Sequence, residues 1–260
     1  ALSAALKRIV SCGDIMIEVS NLSKNFGNIK AVDDVSFNVN IGEVLGFLGP
    51  NGAGKSTTMK IITCFLKPSD GDVKVAGHSI HEDPISVKRK IGYMPENAPL
   101  YEDMTVVEFL QFVCEMRNID LERRPSSIDG VITKCHLENV KNQSIETLSK
   151  GFKRRVSMAQ ALIHDPEVLI LDEPTDGLDP NQKHDVRALI KELSNSKCII
   201  LSTHILEEVE AVCTRAIIIS SGKKLFDGTP SELSEKSADR KVDDVFRAIT
   251  TSLDVEGVTL

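Results

Sequence analysis

Gly49, Gly54, Lys55 and Ser56 stand at the spacing G-x-x-x-x-G-K-S within the run Gly49, Pro50, Asn51, Gly52, Ala53, Gly54, Lys55, Ser56, Thr57. Glycines so placed let successive backbone N–H groups turn inward around phosphate oxygens, and a helix that follows adds its positive N-terminal end. Lys55 is a compact cation suited to β and γ phosphates, and the Ser56 hydroxyl can ligate Mg²⁺. A second chemical element closes the apolar run Val168, Leu169, Ile170, Leu171, where Asp172 and Glu173 appear together. Alone, that pair reads equally well as two surface-facing acids. Beside a phosphate loop it lies where ligands of an open α/β sheet bind, at the carboxyl ends of the strands. Asp172 then suits the Mg²⁺ shell, and Glu173 can take a proton from, or orient, an attacking water.

Such chemistry needs strands and helices to hold it. VLGFL (residues 44–48) is continuously apolar, as a strand buried on both faces should be, and it runs straight into the glycine loop. TTMKIIT after the loop reads as a helix, while MIEVS, AVDDVSFNVN and DVKVAG read as strands of a separate β region. Between about 97 and 148 the pattern turns helical: Thr105 can N-cap a helix whose core stripe is Val106, Phe109, Leu110, Val113 and Met116. Arg123-Arg124-Pro125-Ser126-Ser127 is expected to break that pattern before a second helical stretch. From about residue 167 strands and helices alternate through EVLILDE, KCIILS and RAIIIS, which argues an α/β fold with a parallel sheet.

With 260 residues, 41% of them hydrophobic, the chain can bury a full core, and its net charge of −7 gives no global basic field to draw nucleic acid. No nucleic-acid partner is therefore expected. Cys12, Cys64, Cys114, Cys135, Cys198 and Cys213 are scattered without a C-x-x-C pair, which suits reduced thiols in a cytosolic protein. No apolar run approaches the roughly 18 to 20 residues needed to cross a bilayer. Residues 1–15 are read as a leader or disordered extension, since Lys7 and Arg8 interrupt any apolar signal region. A short tail over 231–260 is expected to be helical around 242–249.

Taken in order, these segments resemble the nucleotide-binding subunit of an ATP-binding-cassette transporter over nearly all of residues 16–230. LSKGFKRR from Leu148 sits at the family's signature position, GLDP at 177–180 resembles its D-loop, and STH at 202–204 its switch-histidine loop. IGYMPE (91–96) occupies the loop leading into the family's helical subdomain, expected here at about 97–150. The resemblance implies a P-loop NTPase of cassette type, with a mixed or parallel sheet core, an antiparallel β subdomain and a helical subdomain. It further implies an ATPase using ATP and Mg²⁺, with Phe26 stacking on adenine and His204 contacting the γ-phosphate. Two subunits, identical or different, would sandwich ATP, with Ser149 and the Gly151 N–H supplying donors across the interface and Asp179, in the D-loop, among the nucleotide-binding residues. Integral membrane permease subunits would dock near residues 93–105, holding the chain on the cytoplasmic face of the membrane.

Two positions depart from the family pattern. Glu96 stands where the family carries glutamine; ionised glutamate offers only acceptors, so it can still join the Mg²⁺ shell but adds negative charge. In LSKGF, Ser149 and Gly151 survive, while Lys150 adds a cation near the partner's nucleotide. A soluble cassette ATPase acting on ribosomes or DNA is the competing expectation. It is disfavoured because the chain carries one cassette, and only about ninety residues without a heptad pattern separate the phosphate loop from the signature. A non-hydrolysing sensor would have no use for Glu173 and His204. KVDDVFRAIT resembles a short helical motif common in cassettes that serve multidrug, polysaccharide or gliding-type exporters, and with the short stretch after the fold this resemblance implies an exporter over an importer.

Overall fold

The structure, a computed structural model, describes residues 15–235. The expected leader falls outside them except for Ile15, which opens the first strand, and the helix expected at 242–249 also lies outside. In chain order, β1 (Ile15–Phe26) and β2 (Ile29–Asn40) form a hairpin, followed by β3 (Val44–Leu48) and α1 (Lys55–Ile62). Next come β4 (Asp70–Val75), β5 (His78–Ser79), α2 (Pro84–Lys90) and β6 (Ile91–Met94). The helical stretch holds α3 (Val106–Met116), α4 (Arg124–Lys134), a 3-10 turn at Ile145–Thr147 and α5 (Lys150–Leu162). The chain continues through β7 (Val168–Asp172), α6 (Pro180–Ser194), β8 (Cys198–Thr203), α7 (Leu206–Val212), β9 (Arg215–Ser220), β10 (Lys223–Gly228) and α8 (Pro230–Glu235).

Two sheets result. A four-stranded antiparallel sheet has the order β2-β1-β4-β5, and a six-stranded sheet the order β10-β9-β3-β8-β7-β6. In the larger sheet only the β10–β9 pairing is antiparallel. Its central strands are apolar throughout because both faces are covered. On β7, Val168 and Ile170 join the core shared with the small sheet and α1, whereas Leu169 and Leu171 join the core beneath α3–α6. Phe37 of β2 and Phe47 of β3 meet between the sheets with ring centroids 5.2 Å apart.

The α/β fold and the antiparallel region are as expected, with several differences in detail. IGYM is an edge strand pairing with β7, not a loop. It is short and contains Gly92, so periodicity had little to register. A Cβ at Gly92 would lie 2.1 Å from the Ala161 carbonyl, so glycine is what lets α5 close onto this strand; Gln160 Nε2 then donates to the Tyr93 carbonyl at 2.8 Å. Thr105 caps α3 in a full capping box with Glu108, and Val106, Phe109, Leu110 and Val113 are buried as expected. Met116 is not: it is 66% exposed, at the last residue of the helix. Arg124 and Pro125 begin α4 instead of breaking a helix, proline being well suited to a first turn where its missing N–H is not needed.

Candidate functional site

Parallel pairing brings four strand ends to one edge. β6, β7, β8 and β3 lie side by side and end at Met94, Asp172, Thr203 and Leu48, so that Glu96, Glu173, His204 and Gly49 leave the sheet along a single rim. Register does the fine placement: Asp172 stands opposite Ser202, and Leu48 opposite Thr203.

The loop at 49–57 is shaped by its neighbours. A Cβ at Gly49 would lie 2.3 Å from the Ile219 carbonyl, and one at Gly54 2.3 Å from the Ala31 carbonyl, with Gly54 at φ +108°. Only glycine fits either position. Lys55 is buried and donates from Nζ to the Gly49 carbonyl at 2.7 Å and the Pro50 carbonyl at 3.2 Å, strapping the loop shut. No side chain caps α1, so the N–H groups of its first turn stay open to an anion.

Across from the loop, Ser56 Oγ lies 3.3 Å from Asp172 Oδ1, and Ser202 donates its hydroxyl to the same oxygen. Glu173 sits in the left-handed region at φ +51°, an uncommon conformation for a side chain of its size. It is held there because its N–H donates to the Ser202 carbonyl and hydroxyl, both at 3.2 Å. That turn points Glu173 Oε2 to within 3.1 Å of His204 Nδ1 and Oε1 to within 4.0 Å of Lys55 Nζ. Burial pushes the Glu173 carboxyl above the usual carboxylate range, and the His204 contact and the Lys55 charge offset part of that rise. Burial likewise lowers the Lys55 ammonium, against the pull of Glu173, Asp172 and Glu96.

Lys55, Ser56, Asp172, Glu173 and His204 are thus gathered at one place. Phe26 is half-exposed, with Lys24 Nζ 5.1 Å from its ring centroid. Its hairpin leans on the phosphate loop where Ala31 meets Gly54. Glu96 is exposed on the rim. Ser149 N-caps α5, its hydroxyl accepting from the Phe152 N–H at 3.4 Å, and Asp179 N-caps α6, accepting from the Gln182 N–H at 2.9 Å. Gly151 is packed against the Gln182 side chain. Among the described residues, no hydrogen bond or ion pair joins Phe26, Glu96, Ser149, Gly151 or Asp179 to the loop at 49–57. Lys150, expected to serve as a cation near a partner's nucleotide, pairs with Asp176 of its own chain at 3.0 Å.

Sequence reasoning named Ser202 and Thr203 only as part of STH and gave no role to Ser202, which contacts both Asp172 and Glu173, or to Thr175, Thr203 and Glu208, which lie behind them. Ser202 and Thr203 belong to a strand run whose inward hydroxyls look like ordinary strand residues, so only the parallel register reveals them.

The chain is similar to known proteins along most of its length. A family model described as ABC transporter matches residues 32–176. An uncharacterized ABC transporter ATP-binding protein of Methanocaldococcus jannaschii is 40% identical over 85% of this chain and 80% of its own length. The Nod factor export ATP-binding protein I of Burkholderia orbicola is 34% identical over 84% and 72%. ABC transporter A family member 1 of Dictyostelium discoideum is 36% identical over 88% of this chain, which spans 26% of that longer protein. Among solved structures, an ATP-binding subunit of an ABC transporter superposes with a TM-score of 0.82 at 29% identity, covering 90% of this chain and 99% of its own. A dimeric ATP-binding cassette in a post-hydrolysis state with ADP and Pi gives 0.76 at 26% identity, covering 83% and 99%.

Proposed function

This chain belongs to the ABC transporter family as an ATP-binding subunit that hydrolyses ATP, and from that premise we propose that it powers a membrane exporter as one of two paired cassettes. The observation that carries the catalytic half is the convergence of Lys55, Ser56, Asp172, Glu173 and His204 on one rim of the sheet. The open N–H groups of the loop at 49–57 hold the phosphates, and Lys55 exchanges its loop carbonyls for β and γ phosphate oxygens. Phe26 stacks on the adenine. Ser56 and Asp172, with Glu96, would hold Mg²⁺, which would supply positive charge to offset that of the phosphates. A hydroxyl, carboxylates and substrate phosphates form the oxygen-rich set that this ion takes. Glu173 receives the proton of the attacking water, its raised affinity for protons suiting a base, and His204 fixes its direction and reaches the γ-phosphate.

The N-termini of α5 and α6 supply the other half. Ser149 and Gly151, with Asp179, stand apart from their own chain's cradle, which supports their use on the nucleotide of a second subunit. Permease subunits would dock at a groove of about 480 Å³ lined by Phe65, Tyr93, Pro95, Pro99, Leu100 and Phe109. Phe65 is 78% exposed there, an apolar anchor for a partner helix. No helix among the described residues is long and apolar enough to cross a membrane. In this reading the groove is where the chain meets the cytoplasmic face of the membrane. Export is supported by the likeness to the Nod factor export protein.

Affinity purification of the full chain from detergent-solubilised membranes tests this. An integral membrane subunit is expected to co-purify with the wild type and to be lost with Phe65→Asp. A ribosomal or DNA-bound partner in its place overturns the transport assignment.

A further inference from the structure

Behind the catalytic rim lies a carboxylate that the chemistry above leaves unused. Glu208, in α7, is 1% exposed. A buried carboxylate is costly unless its oxygens are satisfied and its charge balanced. Here the hydroxyls of Thr175 and Thr203 donate to its two oxygens, one each, the second at 2.9 Å. Both threonines are themselves buried. The charge is balanced by Lys183 and Arg187 of α6, each 4.0 Å from Oε1. Arg187 Nε is buried with no hydrogen bond, although the side chain as a whole is partly exposed.

The three segments meeting at Glu208 are the ones that carry the reacting groups. Thr175 lies two residues after Glu173 on the loop leaving β7. Thr203 immediately precedes His204, and its hydroxyl also accepts from the Ile205 N–H at 3.0 Å. Lys183 and Arg187 lie in the helix capped by Asp179. We propose that Glu208 is a positioning residue for ATP hydrolysis, fastening the loops after β7 and β8 to each other and to α6 so that Glu173 and His204 stay 3.1 Å apart. This rests on Glu173 and His204 being the reacting pair. A carboxylate both accepts on two oxygens and carries the charge that faces Lys183 and Arg187; an amide keeps one acceptor oxygen, turns a donor toward the other threonine and loses the charge.

The test compares steady-state ATP hydrolysis, ATP binding and melting temperature for Glu208→Gln and for paired threonine variants. Thr175→Val and Thr203→Val keep the shape and remove the hydroxyl, whereas Thr175→Ser and Thr203→Ser keep the hydroxyl and remove the methyl. Positioning predicts that kcat falls about tenfold or more in Glu208→Gln and both valine variants, since displacements under an ångström carry penalties of that order. ATP KM and ATP binding should stay within about twofold, and the serine variants should retain wild-type kcat. Valine variants with wild-type kcat, or serine variants as damaged as the valines, would mean that these residues serve packing alone and overturn the inference. Should Glu208→Gln fail to fold, the threonine pairs carry the test unaided. Glu173→Gln, assayed alongside, separates the premises: inactivity there with full activity in the valine variants defeats only the role of Glu208, while wild-type turnover in Glu173→Gln defeats the reacting pair itself.

Discussion

Asp172 and Asp179 are seven residues apart in the chain, and their carboxylates are used in opposite ways. Asp172 ends a central strand and collects hydroxyls from two other elements, Ser56 of α1 and Ser202 of β8. Asp179 begins a helix and spends its oxygen on that helix's own Gln182 N–H. Ser56 and Ser149 repeat the contrast, one reaching across the rim and the other capping its own helix. Strand ends aligned by a parallel ladder converge, because register fixes several of them at once. Helix starts are locally self-sufficient and turn their remaining N–H groups outward, toward whatever lies beyond the chain. The first region gathers its groups within one chain, and the second, in the function proposed above, would complete a site elsewhere.

The sharpest way to break this contrast is Glu173→Gln. Turnover should fall by about 10²–10⁴-fold as the base is lost, with ATP binding retained. Size-exclusion chromatography should then find an ATP-dependent dimer, and its absence would undo the role given to α5 and α6. Lys55→Ala comes next: loss of a charge-assisted contact should weaken ATP binding by roughly 10- to 100-fold in a direct titration. Ser149→Ala tests the helix starts. Removing the cap should cost about 1 kcal/mol and lower the melting temperature by a few degrees. ATP binding to the single chain should be unchanged while turnover drops. If binding falls as well, Ser149 belongs to its own cradle and the two regions are not distinct.

The pH dependence follows from the Glu173 environment. Burial raises its folded-state pKa and only the ionised form can take a proton, so activity should fade on acidification from a pH above the ordinary carboxylate range. His204→Ala removes a contact that favours the ionised form and should move that acid limb further up. For stability the sign is opposite. A raised folded pKa means the ionised group weighs on the native state, a burden relieved as pH falls through that pKa. Glu173→Gln should therefore melt slightly higher than wild type at neutral pH in a thermal scan. The smallest effect is expected from Glu96→Gln, a shift in the Mg²⁺ titration of turnover with ATP affinity kept. An unchanged titration would remove Glu96 from the metal shell.

Much of the convergent region was legible in the chain because its signals are local. VLGFL and VLIL are short all-apolar runs, and each hands directly to residues whose chemistry is written beside it. The roles of Ser202 and Glu208 were not legible, since Asp172 and Thr175 lie 30 and 33 residues from them and meet them only through sheet register and the packing of α7. Met116 differs for a related reason: helical spacing sets which face a residue takes, but not what packs against that face at the helix's end. Lys150 carried a cation in the right neighbourhood, yet which acid it meets depends on the bend at Gly177, where φ is +70°.

The close seating of Gly92 on Ala161 makes α5 a lever with its fulcrum at the sheet. Ser149 lies twelve residues from that fulcrum, about 18 Å along a helix. A tilt of about 5° at the strand would sweep the far tip by roughly 1.6 Å, more than a hydrogen bond tolerates. An added methyl at Gly92, remote from every reacting group, would act on the outward-facing end of the helix through that gearing.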